Sequence, residues 1–177
     1  VVNVDKVLDN MWHGFIKCKV EGYNVIVLHL NPHLYEARRR EIRTVLETVK
    51  QSGPFEKWII MGDFNTVSPL DSAVYADGKY LQRKKEQEKV HTRNNNLPDG
   101  QLDFAVSQAI LDFGFVDAGW ADRENYRKDG FTRRIDFIYV YPDLRDRIVS
   151  CAYITDDFTA AYPDHIPVEL VLKHDPE

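Results

Sequence analysis

Four short segments of this chain place carboxylate, carboxamide or imidazole side chains beside strongly apolar runs. The segments are His29-Leu30-Asn31-Pro32, Gly62-Asp63-Phe64-Asn65, Arg134-Ile135-Asp136-Phe137-Ile138 and Asp164-His165. Carboxylate and amide oxygens bind hard divalent cations, and acids and imidazoles carry protons in hydrolytic reactions. Each segment therefore contains residue types that could hold a metal ion, a water molecule or a phosphate group.

Asp63 and Asn65 are the most informative of these residues. The apolar run 58–61 ends at Gly62, which predicts a buried strand that stops where the two polar side chains begin. Because strand side chains repeat every two residues, Asp63 and Asn65 are expected to face the same side. A site for a metal, a water or a phosphate is one interpretation, and an Asx turn that closes the strand is the other.

The other three segments also place polar groups at strand ends. Asp136 lies near the start of an aromatic and β-branched run, where a carboxylate is costly to bury unless it has a partner. Asp164 and His165 precede an alternating terminal strand, and His29 ends the apolar run 25–28. Four such strand ends indicate that one edge of a sheet assembly is polar, and α/β folds carry sites at strand ends. A purely structural domain would require these ends to be scattered in space.

The pattern between the motifs predicts the elements that position them. Segments 15–23 and 24–30 are expected to form a hairpin, 34–51 an amphipathic helix and 102–113 a second helix. Segments 131–141 and 148–154 are predicted to pair as neighbouring strands. Helices alternate with strands but hairpins also occur, which favours a mixed α+β fold. The arginines at 38–40 and 43 are expected on a solvated helix face, with a phosphate groove as the alternative for one of them.

Composition narrows the class of protein. A chain of 177 residues with 44% hydrophobic residues corresponds to about one globular domain. The net charge of −5 argues against binding nucleic acid through the overall field, but it leaves room for a local basic groove. No run has the length of a membrane span, and a monomer is expected. Cys18 and Cys151 are interpreted as buried free thiols, because a disulfide requires a proximity that sequence does not reveal.

The four motifs, in this order and rough spacing, resemble those of the endonuclease/exonuclease/phosphatase superfamily. This group includes DNase I-like nucleases, abasic-site endonucleases, neutral sphingomyelinases, inositol polyphosphate 5-phosphatases and deadenylases. The resemblance implies an α+β, four-layer α/β/β/α sandwich, with residues 1–177 as the C-terminal two-thirds of a single domain. The family's earlier Asn and its metal-binding Glu have no counterpart before His29, so we expect a fragment or a processed form that lacks the N-terminal part.

The resemblance also implies roles for individual residues. Asp164 and Asp63 would bind a metal ion, Mg²⁺ or alternatively Mn²⁺ or Ca²⁺. Asp63 would orient and deprotonate the attacking water, with Asn65 helping and donating to a phosphate oxygen. His165, oriented by Asp136, would contact the phosphate and carry a proton, and His29 would lie against the scissile phosphate.

The function expected from the resemblance is a metal-dependent hydrolase of phosphoester or phosphodiester bonds. The alternative is a catalytically incomplete fragment that binds a phosphate-bearing ligand or a protein. Nucleic acid, phospholipid head groups and inositol phosphates are not distinguished as substrates.

Overall fold

The computed structural model describes residues 1–126, 134–161 and 164–174. Its strands are β1 (Val2–Val7), β2 (Phe15–Val20), β3 (Tyr23–His29), β4 (Trp58–Asp63), β5 (Val116–Asp117), β6 (Asp136–Val140), β7 (Ile148–Tyr153) and β8 (Val168–Leu172). Its helices are α1 (Tyr35–Ser52), α2 (Lys79–Val90), α3 (Ala105–Asp112), α4 (Ala118–Ala121), α5 (Arg123–Tyr126) and α6 (Asp157–Ala161). Short 3₁₀ segments occupy Pro69–Tyr75, Pro98–Gly100 and Pro142–Arg147.

Six strands form one large mixed sheet in the order β1-β2-β3-β4-β6-β5. Strands β3 and β4 run parallel, and the other neighbours are antiparallel. The predicted hairpin is confirmed, since β2 and β3 pair through a turn in which Glu21 and Gly22 both have positive φ. Strand β1 had no signal in the sequence because it lies at the sheet edge, and its residues are exposed except for half-buried Val7.

One face of the large sheet packs against helices. The apolar stripe of α1, with Ile42, Val45 and Val49, is buried against the sheet, so the predicted amphipathic helix is confirmed. Residues Val106 and Ile110 of α3 enter the same core. Along β4, Trp58 and Ile60 point to this helix-covered side. Because side chains alternate along a strand, burial of these residues under the helices directs their neighbours to the opposite face of the sheet.

The opposite face of the large sheet packs against a small sheet formed by β7 and β8. A second apolar core between the two sheets contains Ile59, Ile138, Val140 and Cys151. Helices, large sheet and small sheet are thus three successive layers, and the predicted α+β class is confirmed. None of the helices in the described ranges is long and apolar enough to cross a membrane.

The predicted pairing of segments 131–141 and 148–154 is wrong. Residues 131–133 lie outside the described residues, and β6, the described part of the first segment, pairs with β4 and β5. The second segment forms β7 and pairs with β8. Between β6 and β7, the segment Pro142–Arg147 carries a fully buried Leu144 into the core between the sheets, and this anchor moves the chain from one sheet to the other.

Cys18 and Cys151 are both free thiols, as interpreted from the sequence. Cys151 is buried, whereas Cys18 is only partly buried. Burial raises the pKa of Cys151 to about 12, so this thiol stays protonated at neutral pH.

Gly62 allows β3 and β4 to approach closely beside the polar strand ends. A Cβ atom at this position would lie 1.9 Å from the carbonyl oxygen of Leu28, its partner across the parallel pair. The residue also has a φ of 134°, which L side chains rarely adopt. Glycine is therefore required here for both space and backbone conformation.

We predict that Gly62→Ala destabilises the fold by about 3 kcal/mol, because a Cβ would push two central strands apart. Gly22→Ala is the matched control, since Gly22 also has a positive φ but has open space around a Cβ. It should cost only about 1 kcal/mol. Urea denaturation of both variants measures the difference. Equal losses would show that the space beside Leu28 is not limiting.

Candidate functional site

Strand register places three of the predicted site residues in one row. His29 at the end of β3 pairs with Asp63 at the end of β4, and Asp63 pairs with Asp136 at the start of β6. Residues directly opposite one another on neighbouring strands project to the same face of a sheet. Ile59 and Ile138, an even number of positions away on β4 and β6, lie in the core between the sheets. The row therefore opens on that side, at one end of the sandwich.

His165 reaches this row from the loop that precedes β8 of the small sheet. Its Nδ1 lies 2.8 Å from Oδ2 of Asp136, and its Nε2 lies 4.0 Å from Oδ2 of Asp63. On the other side, Nε2 of His29 lies 3.5 Å from the same Asp63 oxygen. Residues from both sheets thus converge on the carboxylate of Asp63.

Asn65 is held rigidly beside Asp63. Its backbone N–H donates to Oδ1 of Asp63 at 2.7 Å, and its side-chain Nδ2 donates to the carbonyl oxygen of Leu30 at 3.0 Å. The residue has a φ of 49°, in the left-handed region that Asn tolerates better than most residues. This is an Asx-type turn, so the turn interpretation of the sequence is confirmed, and the same hydrogen bond fixes the Asp63 carboxylate.

Three ligand atoms in the described part of the chain are close enough to hold one metal ion. They come from Asp63, Asp136 and His165 and lie within 4.8 Å of one another. Asp164, predicted as a metal ligand, is exposed next to His165 and lies outside this group. Two carboxylates and an imidazole fit a divalent cation whose remaining positions are filled by water or a phosphate oxygen.

The electrostatics of the site follow from burial and from the carboxylates around the imidazole. Burial lowers the pKa of His165, but the hydrogen bond and charge of Asp136, with Asp63 and Asp164, outweigh it and raise that pKa above its ordinary value. Burial also raises the pKa of Asp136, an effect that His165 opposes and the nearby charge of Asp63 reinforces. The site thus favours a protonated imidazole.

Two further residues of the site carried no signal in the sequence analysis. The ring of His13 stacks on the ring of His29, with centroids 4.1 Å apart and planes 15° apart. Glu41 of α1 is buried, and its carboxylate accepts hydrogen bonds from the backbone N–H groups of Trp12 and Asn31 at 2.7 Å each. Neither residue closes an apolar strand, so the pattern of polar strand ends does not include them.

Arg38 does not lie on a solvated helix face, contrary to the expectation for the arginines at 38–40 and 43. It is buried, and its guanidinium donates to the carbonyl oxygen of Asn31 and to the side chain of Asn96. It also lines a solvent-connected cavity of about 60 Å³, whose other lining residues include Asn65 and Lys84. Asn96 is remote from Arg38 in sequence, so the pattern of the helix alone could not predict this contact.

Arg134 anchors the segment that leads into Asp136. Its guanidinium forms two hydrogen bonds to the carboxylate of Asp117, at 2.7 and 2.9 Å, and one to Asp71 at 2.7 Å. All three residues are buried. This network joins β5 and the segment Pro69–Tyr75 to the start of β6, and so fixes the strand end that carries Asp136.

Residues 3–156 match the model of the endonuclease/exonuclease/phosphatase family. The chain belongs to the endonuclease/exonuclease/phosphatase family. None of the curated protein sequences matches it significantly.

Solved structures share the endonuclease/exonuclease/phosphatase fold with this chain. An AP endonuclease from Archaeoglobus fulgidus is 20% identical with a TM-score of 0.64. A 3′ phosphatase, NExo from Neisseria bound to a product DNA hairpin, is 18% identical with a TM-score of 0.63. The 3′–5′ exonuclease NExo from Neisseria meningitidis is 17% identical, also with a TM-score of 0.63. Each match covers 97% of this chain and 71% of the other.

We predict that Asp136→Asn lowers the pKa of His165, because it removes the carboxylate that contributes most to raising it. Asp164→Asn should lower this pKa by less, since Asp164 makes the smaller contribution. A proton NMR titration of the imidazole measures both changes. Because folding raises this pKa, His165 stabilises the fold below its unfolded-state pKa, and the contribution disappears as pH rises through its folded-state pKa. An unchanged pKa in Asp136→Asn would contradict the pairing.

We predict that Arg134→Met destabilises the fold by about 3–5 kcal/mol, because it removes the buried cation that pairs with the carboxylates of Asp71 and Asp117. Lys17→Met is the control, since Lys17 pairs at 3.2 Å with an exposed Asp5. That change should cost no more than about 1 kcal/mol. Urea denaturation of both variants tests the prediction. Comparable costs would mean that the Arg134 network does not anchor the strand.

Proposed function

We propose that this protein is a divalent-metal-dependent hydrolase of phosphoester or phosphodiester bonds. Membership of the endonuclease/exonuclease/phosphatase family supports phosphoester hydrolysis at the level of the reaction class. The observation that carries the finer proposal is the convergence of Asp63, Asp136 and His165, whose ligand atoms lie within 4.8 Å of one another.

The role proposed for Asp63 is to orient the attacking water and accept its proton. Its Oδ1 is held by the backbone N–H of Asn65 at 2.7 Å, so Oδ2 is the atom directed toward both imidazoles. A carboxylate fixed by the backbone keeps its orientation during the reaction, which is what positioning of a general base requires.

The role proposed for His165 is to contact the phosphate through a hydrogen bond and to carry a proton during the reaction. Asp136 holds Nδ1 at 2.8 Å, which leaves Nε2 on the side of Asp63 and of the open end of the sandwich. A carboxylate bonded to one ring nitrogen fixes the orientation of the other. His29, on the opposite side of Asp63, is proposed to contact the scissile phosphate.

The metal ligands proposed are Asp63 and Asp164, with Mg²⁺ as the ion and Mn²⁺ or Ca²⁺ as alternatives. The ligand atoms of Asp136 and His165 lie within 4.8 Å of that of Asp63, so Asp136 is a further candidate ligand, and His165 could bind the ion only as a neutral imidazole. A bound divalent cation would supply positive charge to the phosphate and to the leaving oxygen. The fold shared with a 3′ phosphatase bound to DNA makes a 3′-phosphorylated DNA strand the first natural substrate to test.

The test is hydrolysis of bis-p-nitrophenyl phosphate and of 3′-phosphorylated DNA by the full chain, with Mg²⁺ or Mn²⁺ titrated in. Asp63→Asn and His165→Gln should each lower kcat by about 10²- to 10⁴-fold, because each removes a proton-transfer group. His91→Gln, an exposed residue at the end of α2, serves as the control.

An unchanged kcat in Asp63→Asn would reject the proposed site. A chain that binds Mn²⁺ by calorimetry, binds inorganic phosphate and hydrolyses neither substrate would instead be the phosphate-binding module considered as the alternative.

A further inference from the structure

We propose that His13 is a positioning residue that holds the imidazole of His29 in its productive orientation toward Asp63. The inference rests on the proposed function, because it concerns how a group of that site is held. It starts from the closest ring contact in the described part of the site, the parallel stack of His13 on His29 with centroids 4.1 Å apart.

His29 needs such support because the strand alone does not orient its ring. It is the last residue of β3, and its side chain is 48% exposed. Exposed side chains change rotamer on the picosecond to nanosecond timescale. The 3.5 Å approach of Nε2 to Oδ2 of Asp63 is longer than a good hydrogen bond, so this contact alone holds the ring weakly. A ring stacked on one face removes part of the rotational freedom of His29.

His13 can supply this support because its own backbone is fixed on both sides. The preceding residue, Trp12, donates its backbone N–H to the buried carboxylate of Glu41 at 2.7 Å. The following residue, Gly14, has a φ of 88°, and a Cβ there would lie 2.5 Å from the carbonyl oxygen of Val7. The loop between β1 and β2 is therefore tied to α1 at one point and closed tightly against β1 at the next.

The same Glu41 carboxylate also ties the segment that follows His29. Its second oxygen accepts the backbone N–H of Asn31 at 2.7 Å. One buried side chain thus fixes the relative positions of the two loops whose imidazoles stack. The contacts run from Glu41 through a hydrogen bond to Trp12, the covalent link to His13 and the ring stack to His29, whose Nε2 then lies 3.5 Å from Oδ2 of Asp63.

A positioning role predicts a specific pattern of kinetics with bis-p-nitrophenyl phosphate. His13→Ala should lower kcat by about 10- to 100-fold with KM little changed, since misplacement of a reacting group has costs of this size. His13→Phe should restore kcat to within about threefold of the wild type, because a phenyl ring stacks without an ionisable nitrogen. His91→Ala is the matched control for removal of an exposed imidazole.

The decisive measurement is a double-mutant cycle with His29→Ala. If His13 acts through His29, the double variant His13→Ala, His29→Ala has the same kcat as His29→Ala alone. Effects that multiply would mean that His13 acts independently, and the proposal would fail. It would also fail if His13→Phe were as slow as His13→Ala, because the imidazole chemistry and not the stacked ring would then matter.

Ring-proton NMR keeps the inference testable if the wild-type chain turns over neither substrate. The stacked ring of His13 should shift the His29 ring protons upfield, and His13→Ala should move them toward the values of an exposed histidine. His29 resonances that are the same in wild type and His13→Ala would overturn the proposal. Absence of turnover with a clear change in these resonances would count against the proposed function alone.

Discussion

The geometry of the site depends on the register of three strands. His29, Asp63 and Asp136 form one row across β3, β4 and β6 because each is the register partner of the next. A slip of β4 by one residue would turn Asp63 toward the helix-covered face and remove it from the row. The register is stable because alternate residues of β4 are buried in different cores. Ile60 packs in the core beneath the helices, and Ile59 packs in the core between the two sheets. The strand register that buries the apolar residues in their cores is therefore the same register that aligns His29, Asp63 and Asp136.

Buried charged groups connect this row to the loops around it. Glu41 links the β1–β2 loop to the segment after β3, and Arg134 links β5 and the segment Pro69–Tyr75 to the start of β6. An ion inside a protein is tolerated only when its hydrogen bonds are largely satisfied. In both cases at least one of the joined segments carries or adjoins a site residue. The interior polar groups thus position the site, while the apolar layers supply most of the burial.

Much of the fold was predictable from local patterns, and the errors have a common origin. Apolar runs and helical periodicity predicted the β2–β3 hairpin, α1 and the terminal strand β8, all of which are present. The pairing of 131–141 with 148–154 was wrong because periodicity indicates which residues are buried but not what covers them. Leu144 directs the chain into the second sheet through a contact that the local pattern does not encode. The burial of Arg38 was also missed, and one of its contacts, with Asn96, comes from a remote loop that the helix pattern does not encode.

The sequence by itself determined the residue types of the candidate site, the strand ends on which they lie and the family to which the chain belongs. Those properties are local, because they follow from short motifs and from the two- and 3.6-residue periods of strands and helices. Only the tertiary structure decided that His165 binds Asp136, that both imidazoles approach Asp63 and that His13 covers His29. These contacts join residues that are far apart in the chain, and their distances are set by strand register and by the packing of one sheet on another.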